Sequence, residues 1–202
     1  MKNLDRGESE KETAGERARH AAQVHGLAQA ESLINAARSL ADVLQTVTER
    51  AREIVGAHQC VTSIVFDGNW ARAINAVSLS DKYAAWRMYD EQPDGSGIYR
   101  LVCQRNRPLR MTQADLEAHP AWRGFGKAAG KHPPMCGWLA APLSGRRGGN
   151  AGLIQLSDKY EGDFTEEDEA ILVELAQMTS VAIEKVRSES RKARRSAKST
   201  KF

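Results

Sequence analysis

Two long amphipathic stretches enclose a β-rich middle, and this arrangement restricts the chain to a mixed fold. Over residues 27–55 apolar residues recur at three- and four-residue spacing, which predicts one long helix that ends at Gly56. A second apolar stripe covers 172–186, and Thr165 precedes it as a helix N-cap. Each helix needs an apolar surface to cover, so we expect both to pack on one sheet.

The middle of the chain contains paired β-rich runs. Segments 60–66 and 70–77 are separated by Asp-Gly-Asn, and segments 137–143 and 151–157 flank a glycine-rich turn. Both patterns are typical of β-hairpins. A short strand at 109–112 adds to them. We therefore predict an α+β fold with a central antiparallel sheet of five or six strands between long N- and C-terminal helices.

Shorter elements join these strands. We predict short helices over 80–88, 98–105 and 113–118, and a loop over 90–97, where Pro, Asp-Gly and Gly occur together. Residues 119–135 mix Trp122 and Phe125 with three glycines and three prolines. Long irregular segments inside a compact domain are usually functional or mobile, so this excursion is the natural place for a binding site.

The length of 202 residues suits one domain with extensions. We expect a polar extension over 1–26 that is disordered or weakly helical, a domain over 27–186 and a basic tail over 187–202. The tail carries seven basic residues against one acid, whereas the rest of the chain is slightly acidic. We expect a solvated, frayed tail, and binding to nucleic acid is not the favoured reading.

Targeting and metal signals are weak throughout the sequence. No apolar run approaches a membrane span, and the N-terminus has no apolar signal-peptide centre. The three cysteines follow no metal-ligand spacing, which favours reduced thiols. We expect a cytoplasmic protein that does not bind a membrane and holds no metal.

Several segments carry a family resemblance. Residues 138–143 (WLAAPL), 152–157 (GLIQLS) and 164–169 (FTEEDE) stand in an order and spacing that resembles a GAF domain. Residues 107–112 (RPLRMT) and 119–126 (HPAWRGFG) are most similar to the GAF modules of bacterial sensor histidine kinases. The resemblance implies a sheet with helices on one face and a small-ligand pocket on the other.

One part of the resemblance concerns the end of the last strand. Asp158-Lys159, followed by Phe164 and Asp168, is similar to the Asn-Lys…Phe…Asp-Glu pattern of cyclic-nucleotide-binding GAF domains, with Asp in place of Asn. A Lys at this place can pair with an Asp in the first turn of the next helix. We expect Lys159 and Asp168 to form a structural clamp that needs no ligand.

The candidate ligand-binding residues come from the excursion and the segments beside it. They combine large apolar groups with a few polar ones, as small-molecule pockets do. We predict that the pocket is lined by Trp86, Tyr99, Arg110, Met111, His119, Trp122, Phe125, Met135, Cys136 and Trp138, with a further contribution possible from Arg123. The ligand and any cofactor are unknown at this stage: cyclic nucleotides, haem, bilins, amino acids and no ligand all stay open.

Catalytic readings have less support. Cys136 stands just before a strand, near where the cysteines of GAF-type free-methionine sulfoxide reductases act, so a thiol redox enzyme or sensor is the alternative. Cys103 is out of place for a resolving partner. Haem would need His119 or His132, and covalent bilin attachment lacks a Cys-His pair. We therefore expect no catalytic residues.

The resulting expectation is a regulatory domain for signal transduction. The resemblance implies a homodimer formed through the terminal helices, which transmit ligand occupancy to a histidine kinase or another signalling partner, as in two-component systems.

Overall fold

A computed structural model describes residues 2–66, 69–88, 97–122, 124, 132–145 and 148–199. The elements in chain order are α1 (Lys2–Ala36), α2 (Leu40–Val55), β1 (Ala57–Phe66), β2 (Asn69–Leu79), a 3₁₀ helix (Asp81–Trp86), α3 (Tyr99–Arg105), β3 (Leu109–Met111), α4 (Gln113–Ala118), β4 (Trp138–Ser144), β5 (Asn150–Lys159) and α5 (Glu166–Ser199). The strands form one antiparallel sheet in the order β2-β1-β5-β4-β3. The predicted α+β class with a five-stranded sheet is confirmed.

The predicted single helix over 27–55 is wrong, because the chain breaks it into α1 and α2. Ser39 starts α2 with a capping box, in which its Oγ accepts from the Asp42 backbone and the Asp42 carboxylate accepts from the Ser39 backbone. Gly56 ends α2 in the left-handed conformation. The expected N-terminal extension is part of α1, whose helix begins at Lys2.

Other local predictions differ in detail. The predicted helix over 80–88 is a 3₁₀ helix of six residues. The expected frayed tail differs from the structure, in which the helix continues through the basic residues to Ser199. The predicted loop over 90–97, apart from Gly97, and much of the excursion lie outside the described residues. None of the described helices is long and apolar enough to cross a membrane.

The first face of the sheet forms the main core. Strand side chains at alternate positions, including Ile64, Leu139, Ile154 and Leu156, pack against α1, α2 and α5 and are nearly inaccessible to solvent. Burying a side chain of this size stabilises the fold by about 1.5–3 kcal/mol. The long helices α1, α2 and α5 therefore cover this face, whereas the shorter α3 and α4 pack on the opposite face.

Helices α1 and α5 run parallel. His20 Nδ1 lies 2.7 Å from Glu167 Oε1 near the start of α5, and Lys185 Nζ donates to the Asn35 carbonyl near the end of α1 at 3.1 Å. At 1.5 Å per residue, α1 extends about 27 Å before His20 and α5 about 21 Å beyond Lys185. The two overhangs therefore point in opposite directions.

Candidate ligand-binding face of the sheet

A second cluster of buried side chains lies on the sheet face opposite the main core. Its buried members come from α3, α4 and strands β3 to β5. They are Ile98, Val102, Met111, Leu116, Trp138, Ala140 and Leu153, with Trp70, Tyr99, Trp122 and Met135 packed against them and partly buried. This face is where the excursion and α3 meet the sheet, so the predicted pocket region has a defined floor.

The structure brings five of the predicted ligand-binding residues to this face. Met111 and Trp138 are buried in the cluster, and Tyr99, Trp122 and Met135 pack against it. The Tyr99 ring lies 4.9 Å from the ring of Trp70, which sequence reasoning had not selected. Arg123 and Phe125 lie outside the described residues.

Arg110 is not brought to this face. Its neighbours in β3, Leu109 and Met111, join the second cluster, so strand alternation directs Arg110 the other way. Its guanidinium contacts the carboxylates of Glu166 and Glu169 at the start of α5, and donates to the Phe164 carbonyl at 3.2 Å. Arg110 therefore ties β3 to α5.

Three other predicted residues lie at the margins. Trp86 stands on the 3₁₀ helix with its ring 5.6 Å from that of Tyr83. His119 ends α4, and its Nδ1 accepts from the Ala121 backbone at 3.1 Å. Cys136 is exposed, and its carbonyl accepts from the Asp158 backbone at 2.9 Å.

A neutral polar floor was missed by the sequence analysis. It consists of Gln59 and Ser63 on β1 and Gln155 and Ser157 on β5. Gln59 is directly opposite Ser157 across the β1–β5 pair, and Ser157 is directly opposite Trp138 across the β4–β5 pair. The available signal was in β5, where Gln155 and Ser157 alternate with the apolar Ile154 and Leu156.

Hydrogen bonds orient both glutamines of the polar floor. Trp138 Nε1 donates to Gln155 Oε1 at 3.0 Å, and Gln59 Nε2 donates to the Pro134 carbonyl. An indole N–H can only donate and a carbonyl can only accept. These partners therefore fix which end of each glutamine amide remains available for another hydrogen bond. Gln155 keeps its Nε2 donor, and Gln59 keeps its Oε1 acceptor.

Asp158 anchors the 3₁₀ helix to the end of β5. It is buried, adopts the left-handed conformation at φ 57°, and its Oδ2 accepts from Lys82 Nζ and Tyr83 Oη, each at 2.6 Å. The hydrogen bond to Asp158 raises the pKa of Lys82. Burial, followed by the same carboxylate, raises the pKa of Tyr83. A carboxylate thus replaces the amide of the resembled family pattern with a stronger, charge-assisted anchor.

The next residue, Lys159, contacts the start of α5 and the loop before it. Its Nζ pairs with Asp168 Oδ2 and donates to the Asp163 carbonyl at 3.3 Å. Asp168 also accepts from the Thr165 backbone at 2.7 Å, while its own N–H donates to Thr165 Oγ1. The predicted pair therefore fixes the first turn of α5 to the end of β5.

His58 of β1 and Arg52 of α2 make further contacts at the same end of the sheet. The ring centroid of His58 lies 4.6 Å from that of Tyr160, and its Nδ1 lies 2.7 Å from Ser80 Oγ. Arg52, near the end of α2, donates to Tyr160 Oη and to Ser78 Oγ. Burial, with a smaller contribution from the Lys82 charge, lowers the pKa of His58.

The thiols differ in accessibility. Burial raises the pKa of Cys60, and it raises the pKa of Cys103 to about 11. Both groups are thus poor nucleophiles at neutral pH, whereas Cys136 is exposed. Within the described ranges, no three His, Cys, Asp or Glu side chains cluster as a metal site would require.

Comparison with known proteins agrees with this architecture. The chain is similar to the GAF domain of a phosphoenolpyruvate-protein phosphotransferase (ptsP) from Coxiella burnetii, with 25% identity, a TM-score of 0.67, and coverage of 84% of this chain and 96% of that one. The GAF domain of the Acinetobacter phosphoenolpyruvate-protein phosphotransferase gives 20% identity and a TM-score of 0.63, covering 84% and 97%. Free methionine-R-sulfoxide reductase from Neisseria meningitidis, solved with its substrate, gives 16% and 0.63, covering 83% and 91%. The sequence model described as GAF domain matches residues 37–184, and the chain therefore belongs to the GAF domain family.

Proposed function

We propose that this chain is a regulatory sensor domain that binds a small molecule on the second face of its sheet. The observation that carries the proposal is the contrast between the two faces. One face is mostly apolar and packs against α1, α2 and α5, whereas the other combines the polar floor with Trp70, Tyr99, Trp122 and Trp138. Such a mixture of aromatic area and a few oriented polar groups suits a small ligand better than it suits a core.

Transmission through a homodimer is the second part of the proposal. Val24 and Leu33 on α1 and Val181 on α5 expose 52%, 48% and 69% of their surface. A second copy that supplies matching helices would bury these exposed apolar side chains in a helix bundle. Because α1 and α5 are parallel, α1 extends from one end of this bundle and α5 extends from the other end.

The output and setting follow from the resemblance of residues 107–112 and 119–126 to sensor histidine kinases. We propose a bacterial, cytoplasmic two-component setting with a histidine kinase or another signalling protein as partner, and no catalytic activity in this domain. The test is to purify the proposed partner kinase and to measure its autophosphorylation with and without this protein. An unchanged rate across ligand-loaded and ligand-free preparations would contradict it.

A thiol redox function is the alternative, and the exposure of Cys136 favours it. The free methionine-R-sulfoxide reductase shares the fold, which carries no chemistry by itself. The test is turnover of free methionine sulfoxide by the unaltered protein and by Cys136→Ser. Turnover that disappears in Cys136→Ser would establish the alternative, and absence of turnover in both would remove it.

Native mass spectrometry of the purified protein, compared with its denatured mass and its absorption spectrum, tests the main proposal. We expect twice the chain mass together with a non-covalent addition. A bare monomer would contradict both parts. An absorption band in the visible range would identify a coloured ligand such as haem or a bilin.

The dimer surface has a matched pair of variants. Val181→Glu places a charge on the exposed side of α5, and Met88→Glu places one at a residue that is 92% exposed and lies outside α1 and α5. We expect Val181→Glu to raise the dissociation constant of the dimer at least tenfold and Met88→Glu to leave it unchanged. Equal effects of the two variants, measured by analytical ultracentrifugation, would contradict pairing through α5.

A further inference from the structure

We infer that the polar floor recognises the edge of an uncharged carboxamide or lactam group in the ligand. The inference deepens the proposed function and rests on it for the location of the site. Gln59 and Gln155, each held in one orientation by a hydrogen bond, indicate which chemical group of the ligand lies against the sheet. In this arrangement the ligand carbonyl accepts from Gln155 Nε2, and the ligand N–H donates to Gln59 Oε1.

The strand register places these two atoms suitably. Gln155 is directly opposite Val61, and Gln59 is directly opposite Ser157, so the glutamines are diagonal neighbours on one face of the β1–β5 pair. Diagonal neighbours have Cα atoms about 7–8 Å apart, within reach of long side chains converging on one small group. Ser63 and Ser157 add hydroxyls that can donate or accept on either side.

The remaining capacity of the glutamines is a donor and an acceptor rather than two of one kind. Among the described residues, Gln155 Nε2 and Gln59 Oε1 form no hydrogen bond, while the other end of each amide is held by Trp138 or Pro134. A carboxylate offers acceptors only, and an ammonium offers donors only. An amide edge offers one of each, and therefore matches both glutamines at once.

Three cationic side chains near this end of the sheet are already paired with carboxylates. Lys82 is paired with Asp158, and Lys159 with Asp168, while Arg110 faces α5. A charged ligand group on the polar floor would lose water without gaining an opposite charge from these side chains. A neutral amide needs only its hydrogen bonds, which the floor supplies.

Trp138 provides a reporter for occupancy of the polar floor. It is 1% exposed, lies opposite Ser157, and donates its indole N–H to Gln155. A group that binds Gln155 Nε2 polarises the same amide that accepts from the indole. The indole N–H resonance of Trp138 should therefore shift when the polar floor is occupied.

The experiment compares benzamide with benzoate, which have the same ring and nearly the same size. Full-length ¹⁵N-labelled protein is titrated with each compound, and the indole resonance, assigned with Trp138→Phe, is followed by NMR. We expect benzamide to shift it with a dissociation constant at least tenfold below that of benzoate. Equal affinity, a preference for benzoate, or no shift with either compound would overturn the inference.

Two variants separate recognition from folding. Gln155→Glu keeps an oxygen for the Trp138 indole but replaces the Nε2 donor by an acceptor, and it should abolish the preference for benzamide. Gln104→Glu makes the same change at an exposed position of α3 and should preserve the preference. A preference that survives Gln155→Glu would overturn the inference. If Gln155→Glu unfolds, Ser157→Ala is the substitute, with an expected weakening of benzamide binding of at least threefold.

Failure of this inference is distinguishable from failure of the proposed function. A retained ligand that mass spectrometry identifies as lacking an amide or lactam leaves the sensor proposal in place and removes the carboxamide reading. If benzamide shifts the Trp138 resonance but no ligand changes the activity of the signalling partner, the carboxamide inference is supported and the sensor proposal is refuted.

Discussion

Replacing Gly152 with alanine tests the close approach of β1 and β5, on which the polar floor depends. Gly152 is paired with Ile64 on one side and Leu143 on the other, at φ 146°. An added Cβ would lie 1.9 Å from the Ser63 carbonyl oxygen, whereas real Cβ atoms almost never come within 3.0 Å of another heavy atom. The two strands would have to separate locally by about 1 Å, which stretches ladder hydrogen bonds beyond their normal range.

The expected loss follows from these distances. Two weakened ladder hydrogen bonds cost about 0.5–1.5 kcal/mol each, and backbone strain at this φ adds about 1–3 kcal/mol. We therefore expect Gly152→Ala to lower the free energy of unfolding by about 2–6 kcal/mol. It should also weaken ligand binding, because Ser63 belongs to the polar floor.

The assay is urea-induced unfolding followed by tryptophan fluorescence and circular dichroism. Gly149→Ala is the control, since an added Cβ there would meet no atom within 4 Å. We expect the control to stay within about 0.5 kcal/mol of the unaltered protein. A loss below about 1 kcal/mol for Gly152→Ala would refute the argument from strand spacing.

Three further outcomes are expected. Lys159→Met should lower the free energy of unfolding by about 2–4 kcal/mol, because it leaves the buried Asp168 carboxylate without its cation. A loss below about 0.5 kcal/mol in urea unfolding, the size expected of a surface substitution, would contradict the structural clamp. The free energy of unfolding should fall as the pH drops below about 6.5, because burial lowers the pKa of His58 and His132 and the unfolded chain takes up protons first. His58→Gln and His132→Gln should each make this pH dependence shallower. An unchanged pH dependence in both variants would contradict the role of these histidines. A disulfide reagent at pH 8 should modify one thiol quickly, and Cys136→Ser should remove that phase; two or three fast thiols would disagree with the burial of the others.

Local signals explain which parts of the fold the sequence analysis predicted. Both hairpins depend on turn residues and short β-rich runs that are contiguous in the chain, and the strands pair as expected. The cap at Thr165 and the stripe that follows it likewise lie within one segment. The pairing of Lys159 with Asp168 was accessible because only one turn separates the two elements.

The errors arise where one pattern has two readings. The apolar stripe continues across residues 37–39, so periodicity alone indicates one helix, whereas the Ser39 capping box starts a second one. The predicted pocket includes both Arg110 and Met111, but adjacent strand residues face opposite sides of a sheet. Gln59 and Gln155 were missed because their role depends on a pairing between strands that are about a hundred residues apart.

The opposed overhangs of α1 and α5 make the rotational phase of the helices significant. Each residue added to a helix turns everything beyond it by about 100°, and seven residues nearly restore the original orientation. If a neighbouring domain is joined to α5 by continuous helix, single-residue insertions after Val186 would rotate it against this domain. Signalling would then alternate between coupled and uncoupled as the insertion grows, and would return at about seven residues.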